Sequence, residues 1–99
     1  MQIDIRSIHF KADSKLEDFI TERIGKLSQF YDGVIGTEVS LKLANGENVD
    51  NKITEIRLNV RGNDLYAKKQ SKSFEESTDH AVEALRRQLK KHKDKERGN

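Results

Sequence analysis

Residues 53–72 read Ile53-Thr54-Glu55-Ile56-Arg57-Leu58-Asn59-Val60-Arg61-Gly62-Asn63-Asp64-Leu65-Tyr66-Ala67-Lys68-Lys69-Gln70-Ser71-Lys72, and they decide the fold. Ile56, Leu58 and Val60 alternate with Arg57, Asn59 and Arg61, the period-two pattern of a strand with one wet face. Gly62-Asn63-Asp64 is a run of turn formers. Beyond it Leu65 and Ala67 point one way, and Tyr66, Lys68, Gln70 and Lys72 the other. Two alternating segments joined so tightly predict an antiparallel hairpin. Ile53 falls out of phase with Ile56, so a bulge or an early strand start is expected there.

Working back towards the N-terminus, Val39, Leu41 and Leu43 alternate with Ser40 and Lys42, and Asn45-Gly46 opens a loop before the hairpin. A first strand is expected over residues 2–8, where Ile3 and Ile5 alternate with Asp4 and Arg6. Between these strands Leu16, Phe19, Ile20, Ile24, Leu27, Phe30 and Tyr31 recur at helical spacing. Asp13 or Ser14 is a plausible cap, Glu17 sits in the first turn, and Asp32-Gly33 stops the helix. After the hairpin, Ser73-Phe74-Glu75-Glu76 has the capping-box pattern. It opens a long helix with Phe74, Thr78, Ala81, Val82, Leu85 and Leu89 on one stripe. The order is β-α-β-β-β-α, an α+β fold with a four-stranded sheet. Each helix has a single apolar stripe to bury, so both must cover the same face and leave the other wet. The first helix then acts as a crossover, which allows the first two strands to pair in parallel.

Ninety-nine residues suffice for one domain, 1–99, and leave no room for a second lobe. Hydrophobic content is 33% and charged content 36%. The absence of cysteine removes disulfides and thiol chemistry. No apolar run approaches the ~20 residues of a membrane span, and residues 1–10 lack the blocks of a signal peptide, so a cytoplasmic location is expected. The net charge of +2 is unevenly spread: residues 86–97 carry seven Lys/Arg and two Asp/Glu, a local +5, which leaves −3 on the rest. Such a basic end, about 86–99, favours a polyanion.

On a helical wheel Arg86, Arg87, Lys90, Lys93 and Arg97 fall opposite the Leu85/Leu89 stripe, with Lys91 and Lys95 at one border. Glu75, Glu76, Asp79 and Glu83 occupy the earlier half of that surface. Acids at a helix start and bases at its end also suit the macrodipole, and Glu83 stands four residues before Arg87. Such contacts contribute only ~0.3–1 kcal/mol each, and seven bases in twelve residues exceed what they require. On the wet sheet face Arg6, Lys42, Arg57, Arg61, Lys68 and Lys72 point outward beside Tyr66, interrupted by Asp4, Glu38 and Glu55. Lys68, Lys69 and Lys72 are the strongest cluster there. Arg23 falls inside the apolar arc of the first helix and Lys26 borders it. Snorkelling over the core edge and a charge held ready for phosphate are compatible readings of this placement. His92 either extends the buried stripe or meets RNA.

His9, His80 and His92 match no metal-ligand spacing, so no metal site is expected. There is no nucleophile elbow and no Gly-rich phosphate loop. Catalysis, a cofactor and a small-molecule substrate are not expected.

The run Arg87-Gln88-Leu89-Lys90-Lys91-His92-Lys93-Asp94-Lys95 closely resembles the C-terminal helix signature of short ribosome hibernation promoting factors and ribosome-associated translation inhibitors, the sigma-54 modulation protein family. Lys26-Leu27-Ser28-Gln29-Phe30-Tyr31-Asp32 resembles the end of that family's first helix. Ser73-Phe74-Glu75-Glu76-Ser77-Thr78-Asp79 departs from the family's D-[ML]-Y-x-A-I-D, keeping the apolar position and the last Asp but placing Glu75 where relatives have Tyr. The resemblance spans nearly the whole chain. It implies a sheet with two helices on one face, similar to double-stranded RNA-binding domains. It also implies a non-catalytic translation repressor, monomeric when free, that occupies the decoding region of the small ribosomal subunit in free subunits and intact ribosomes and promotes hibernation when growth slows. With the chain ending at Asn99, the short ribosome-pairing form is expected over the tailed inhibitor. Arg23, Lys26, Arg87, Lys91, Lys93 and Lys95 match the family's basic positions. With Arg86, Lys90, His92, Lys68, Lys69 and Lys72, they form the expected rRNA-binding set. A general duplex-RNA-binding module, or an interaction module with an acidic protein partner, are the rival readings.

Overall fold

The computed structural model describes residues 2–46 and 49–98, the side chains of 96–98 excepted. The elements are β1 (Gln2–Ser7), α1 (Ser14–Phe30), β2 (Val34–Leu43), β3 (Lys52–Val60), β4 (Asn63–Ser71) and α2 (Phe74–Gly98). This is the expected β-α-β-β-β-α order of an α+β fold. The strands lie in chain order, β1-β2-β3-β4. β1 pairs with β2 in parallel, and the other two ladders are antiparallel.

The hairpin forms as its alternation requires, with the turn one residue earlier than expected. Val60 pairs with Asn63, so Arg61 and Gly62 alone make the turn. Gly62 adopts φ +80° there, a left-handed backbone that costs glycine least. Asp13 caps α1 by accepting a 2.9 Å hydrogen bond from the Leu16 amide. Ser73 caps α2 by accepting one of 3.1 Å from the Glu76 amide, one half of the capping box.

Both helices cover one face of the sheet. Ile20, Ile24 and Leu27 of α1 and Ala81, Leu85 and Leu89 of α2 pack on Val39, Leu41, Ile56 and Leu58. Thr54 also faces inward. Its hydroxyl meets Ser77 Oγ at 2.6 Å and Thr78 Oγ1 at 3.4 Å, so three buried hydroxyls satisfy one another under α2.

Of the two expectations at Ile53, the early strand start holds and the bulge does not: β3 already begins at Lys52. The β3 ladder is regular from Lys52 to Val60, and the shift lies on β2 between Val34 and Gly36, leaving Ile35 exposed. Ile53 instead points to the open face, opposite Lys42 and Gln70, and is nevertheless buried. Mid-sheet cross-strand neighbours with long aliphatic stems can cover such a side chain without an insertion.

Candidate nucleic-acid interface

Pairs of contacts set the direction of the helices. Gln88 donates to the Tyr66 carbonyl at 2.9 Å, and Ser71 Oγ lies 3.3 Å from His80 Nδ1. α2 therefore runs antiparallel to β4. Phe10 stacks on Phe74 at 5.0 Å, Arg23 reaches Asp79, and Tyr31 meets His92, so α1 lies beside α2 in the same direction. The helical layer thus has an acidic end, with Asp79 and Glu83 beside Glu22, and a basic end around residues 86–95.

Between the helices runs a groove of about 500 Å³ lined by Arg23, Lys26, Phe30, Asp79, Glu83 and Arg86, among others. A second hollow of about 410 Å³ continues it, lined by Phe30, Arg86, Arg87, Lys90, Lys93 and Asp94, with Glu83 at its edge. Four cations of α2 therefore share one wall. They do so because positions 86, 87, 90 and 93 fall on one side of a helix whose opposite stripe is buried through Leu89. Lys91 and Lys95 are exposed on the same turns. The side chain of Arg97 lies outside the described residues.

The cations differ in how far they are already engaged. Arg23 donates through Nε to Asp79 at 2.8 Å and through Nη1 to Glu22 at 2.9 Å, and its guanidinium lies 4.3 Å from the Phe19 ring centroid. It snorkels over the core edge and ties the two helices together. Arg87 sits a loose 4.0 Å from Glu83. Arg86 and Lys93 flank Phe30, at 5.7 and 5.2 Å from its centroid. Lys26, Lys90, Lys91 and Lys95 have no ion pair among the described residues. His92 is half-buried, its ring edge-on to Tyr31 at 5.6 Å, which places it at the end of the buried stripe. Tyr31 in turn lies over Gly33, where a Cβ would stand only 2.5 Å from the ring.

The lysines of β4 are not brought to this groove. Lys68 and Lys69 project to opposite faces of the sheet, and the antiparallel course of α2 sets them and Lys72 beside its acidic start. The proximity suggested by their place in the sequence is undone by the helix running back along the strand. On the open face Glu55 gathers the charge. Lys42 lies 2.5 Å from its Oε1, Lys68 3.9 Å, and the Tyr66 hydroxyl donates to Oε2 at 3.0 Å. The Lys42 hydrogen bond is the chief reason the Glu55 carboxyl is held below the usual carboxylate range; partial burial opposes it. The same bond raises Lys42, while desolvation, then Glu55, raises Tyr66. Arg57 faces Asp64 at 3.9 Å. Much of the positive charge that alternation places on this face is thus neutralised within the protein.

Phe30 is the feature missed by reading the sequence as a buried stripe: it lines both hollows. Its position on the edge of the α1 arc, next to Lys26, is the signal that could have marked it. Among the described residues no group of three or more His, Cys, Asp or Glu could hold a metal ion. Among those residues no helix is long and apolar enough to cross a membrane.

Comparison with known proteins extends the geometry. The model of the family described as sigma 54 modulation protein / S30EA ribosomal protein matches residues 3–97. The ribosome hibernation promoting factor of Klebsiella oxytoca is 32% identical over 95 residues, 96% of each chain. That of Escherichia coli K12 is 30% identical over the same coverage. That of Pseudomonas putida is 27% identical over 97% of this chain and 90% of its own. Among solved structures, the Thermus thermophilus Protein Y N-terminal domain superposes with a TM-score of 0.80 at 20% identity, covering 93% of this chain and 99% of that one. A ribosomal subunit interface protein from Coxiella burnetii gives 0.82 at 17% identity, covering 94% and 98%. These two likenesses establish the fold.

Proposed function

The chain belongs to the sigma 54 modulation protein / S30EA ribosomal protein family, and on that premise we propose that it is a cytoplasmic ribosome-binding repressor that promotes hibernation. In this reading residues 1–99 act as a single unit. It seats the α1–α2 groove on rRNA of the small subunit, in the decoding region, and excludes mRNA and tRNA by occupying their place. No bond is made or broken.

The observation that carries the reading is the wall formed by Arg86, Arg87, Lys90 and Lys93 along one hollow. Packing like charges together costs free energy that a polyanion relieves. Phosphate contacts of this kind fix register and orientation without reading bases. Structured RNA is recognised largely through shape and backbone, which suits a preformed groove between two helices. The acids Glu22, Asp79 and Glu83 repel phosphate at the other end, so the groove has a preferred direction on the RNA. Lys26 with the α2 cations Arg86, Arg87, Lys90, Lys91, Lys93 and Lys95 forms the main contact set. Arg23 joins once its acids release it, and His92 supports the end of α2 through Tyr31. Lys68, Lys69 and Lys72 are left as a lesser, separate patch.

Co-sedimentation with purified ribosomes and separated subunits, at low and moderate salt, tests the proposal. The expected result is co-migration with the small subunit and intact ribosomes, with in vitro translation falling in step. Neutralising about six phosphates gives a slope of log affinity on log salt near −4 to −5. Equal affinity for naked duplex RNA would transfer the function to a general duplex-binding module. A protein that stays at the top of the gradient at every salt has an acidic protein partner as its better reading.

A further inference from the structure

We infer that Phe30 is a stacking platform for an unpaired base of the bound RNA. The inference rests on the ribosome-binding reading and adds to it a contact that charge alone does not supply.

The other phenyl and phenol rings are engaged with neighbours or, like the exposed Tyr66, lie away from the groove. Phe10 and Phe74 stack on each other with planes 10° apart. Phe19 lies beneath the Arg23 guanidinium. Tyr31 is buried and meets the edge of His92. Tyr66 is on the opposite side of the sheet, its hydroxyl given to Glu55. Phe30 differs from all of these. It is half-buried at the end of α1, packs against the core on one side, and borders both hollows between the helices on the other. The larger hollow, at about 500 Å³, falls within the range of small-ligand sites. Two cations, Arg86 and Lys93, lie within 6 Å of its centroid.

This combination is the one that single-stranded nucleic acid uses: a π-face for the base and cations beside it for the phosphates on either side. A phenyl ring is indifferent to base identity, because every base has a π-face. The platform would therefore fix where a looped-out nucleotide rests without demanding a sequence. The two cations stand over the ring and give way to the base. Each lies at ordinary cation–π distance and can swing outward to a phosphate on a flexible stem.

Small-subunit binding by Phe30→Leu, Phe30→Tyr and Phe30→Trp across a salt series tests the proposal, with melting temperatures measured alongside. The wild type must bind first; if it does not, the ribosome-binding reading fails rather than this one. Stacking predicts that Phe30→Leu loses about 5- to 100-fold in affinity at every salt, with the salt slope unchanged. It predicts that Tyr and Trp retain binding. Chemical probing of the rRNA should show at least one base whose reactivity changes under saturating wild type and not under saturating Phe30→Leu. Affinity within twofold for Phe30→Leu overturns the proposal. So does a slope shallower by about one or two charges, which would mean that the ring merely positions Arg86 and Lys93. If Phe30→Leu does not fold, the aromatic pair decides: stacking ranks Trp at or above Phe, whereas a filler of the groove ranks bulky Trp worst.

Discussion

Replacing Gly33 by alanine puts one methyl group where the structure has a ring. The added Cβ would lie 2.5 Å from Tyr31 Cε2, 2.6 Å from Cζ and 2.7 Å from Oη, against an ordinary contact that begins at 3.4 Å. The shortfall approaches an ångström. Tyr31 cannot simply swing aside, since its ring is 8% exposed and stands edge-on to His92. Overpacking of this kind costs typically 1–3 kcal/mol, so about 1–3 is expected here. In a domain of this size that lowers Tm by roughly 5–20 °C. The backbone at Gly33 is not left-handed, and the three nearest atoms the methyl group would meet all belong to Tyr31. With Tyr31→Ala already in place, Gly33→Ala should become stabilising by about 0.4–1 kcal/mol, through the lost freedom of the unfolded chain. The double-mutant cycle should then give a coupling of roughly 1.5–4 kcal/mol, large beside the 0.5–3 usual for touching residues. Urea titrations of the four proteins at low temperature measure it. An equal cost for Gly33→Ala in both backgrounds would refute the reasoning and move the strain into the backbone. The cycle bears on function because Tyr31 and His92 anchor the turn of α2 that carries Lys90, Lys91 and Lys93.

Three further outcomes follow from the same geometry. Reversing Lys91 and Lys93 to glutamate should abolish ribosome binding while circular dichroism and melting remain native; retained binding removes the basic end of α2 from the interface. Asp79→Ala together with Glu22→Ala removes both anchors of Arg23, at 2.8 and 2.9 Å. It should cost no more than about 1 kcal/mol of stability per pair, as exposed ion pairs do. It should also steepen the salt slope of ribosome binding by roughly 0.7–0.9 as Arg23 becomes available to phosphate, and an unchanged slope would show that Arg23 serves only to tie α1 to α2. Glu55 has its folded pKa lowered, chiefly by the Lys42 hydrogen bond. Its contribution is therefore complete above the ordinary glutamate value of 4.5 and disappears as pH falls through the folded value. Lys42 is raised, so its share is complete below 10.5 and disappears as pH rises through its folded value. Urea midpoints of Glu55→Gln should decline less than those of the wild type as pH falls below 4.5, and a decline of the same size would place the acid sensitivity elsewhere.

The sequence carried the hairpin, both helices and the element order because each rests on a local period: two for residues 56–60, about three and a half for residues 74–89. The start of β2 was not legible. Gly36 interrupts the alternation, and Ile35, though apolar, is the exposed residue at the register shift. Ile53 suggested a bulge for the converse reason, being an apolar residue that is buried on the open face. The four-cation wall could be read from a helical wheel, since one rigid helix holds it. The pairing of Arg23 with Asp79 could not, because Asp79 lies 56 residues away and only packing brings it near. The grouping of Lys68, Lys69 and Lys72 with the basic end failed on direction: nearness in sequence across a tight turn becomes distance once the helix runs back along the strand.

The parallel pairing of β1 with β2 has a kinetic consequence. β2, β3 and β4 pair as consecutive neighbours, and α2 packs back on the strand just before it, so these contacts close short loops. β1 must wait for α1 to be laid across the sheet before residues such as Gln2 and Gly36 can meet. Loop-closure entropy and contact order both place that step late. Read in reverse, the edge strand is the piece that leaves first, through openings cheaper than global unfolding. The amides of β1 should exchange with solvent well before those of β3, which stay paired on both sides until the whole domain opens.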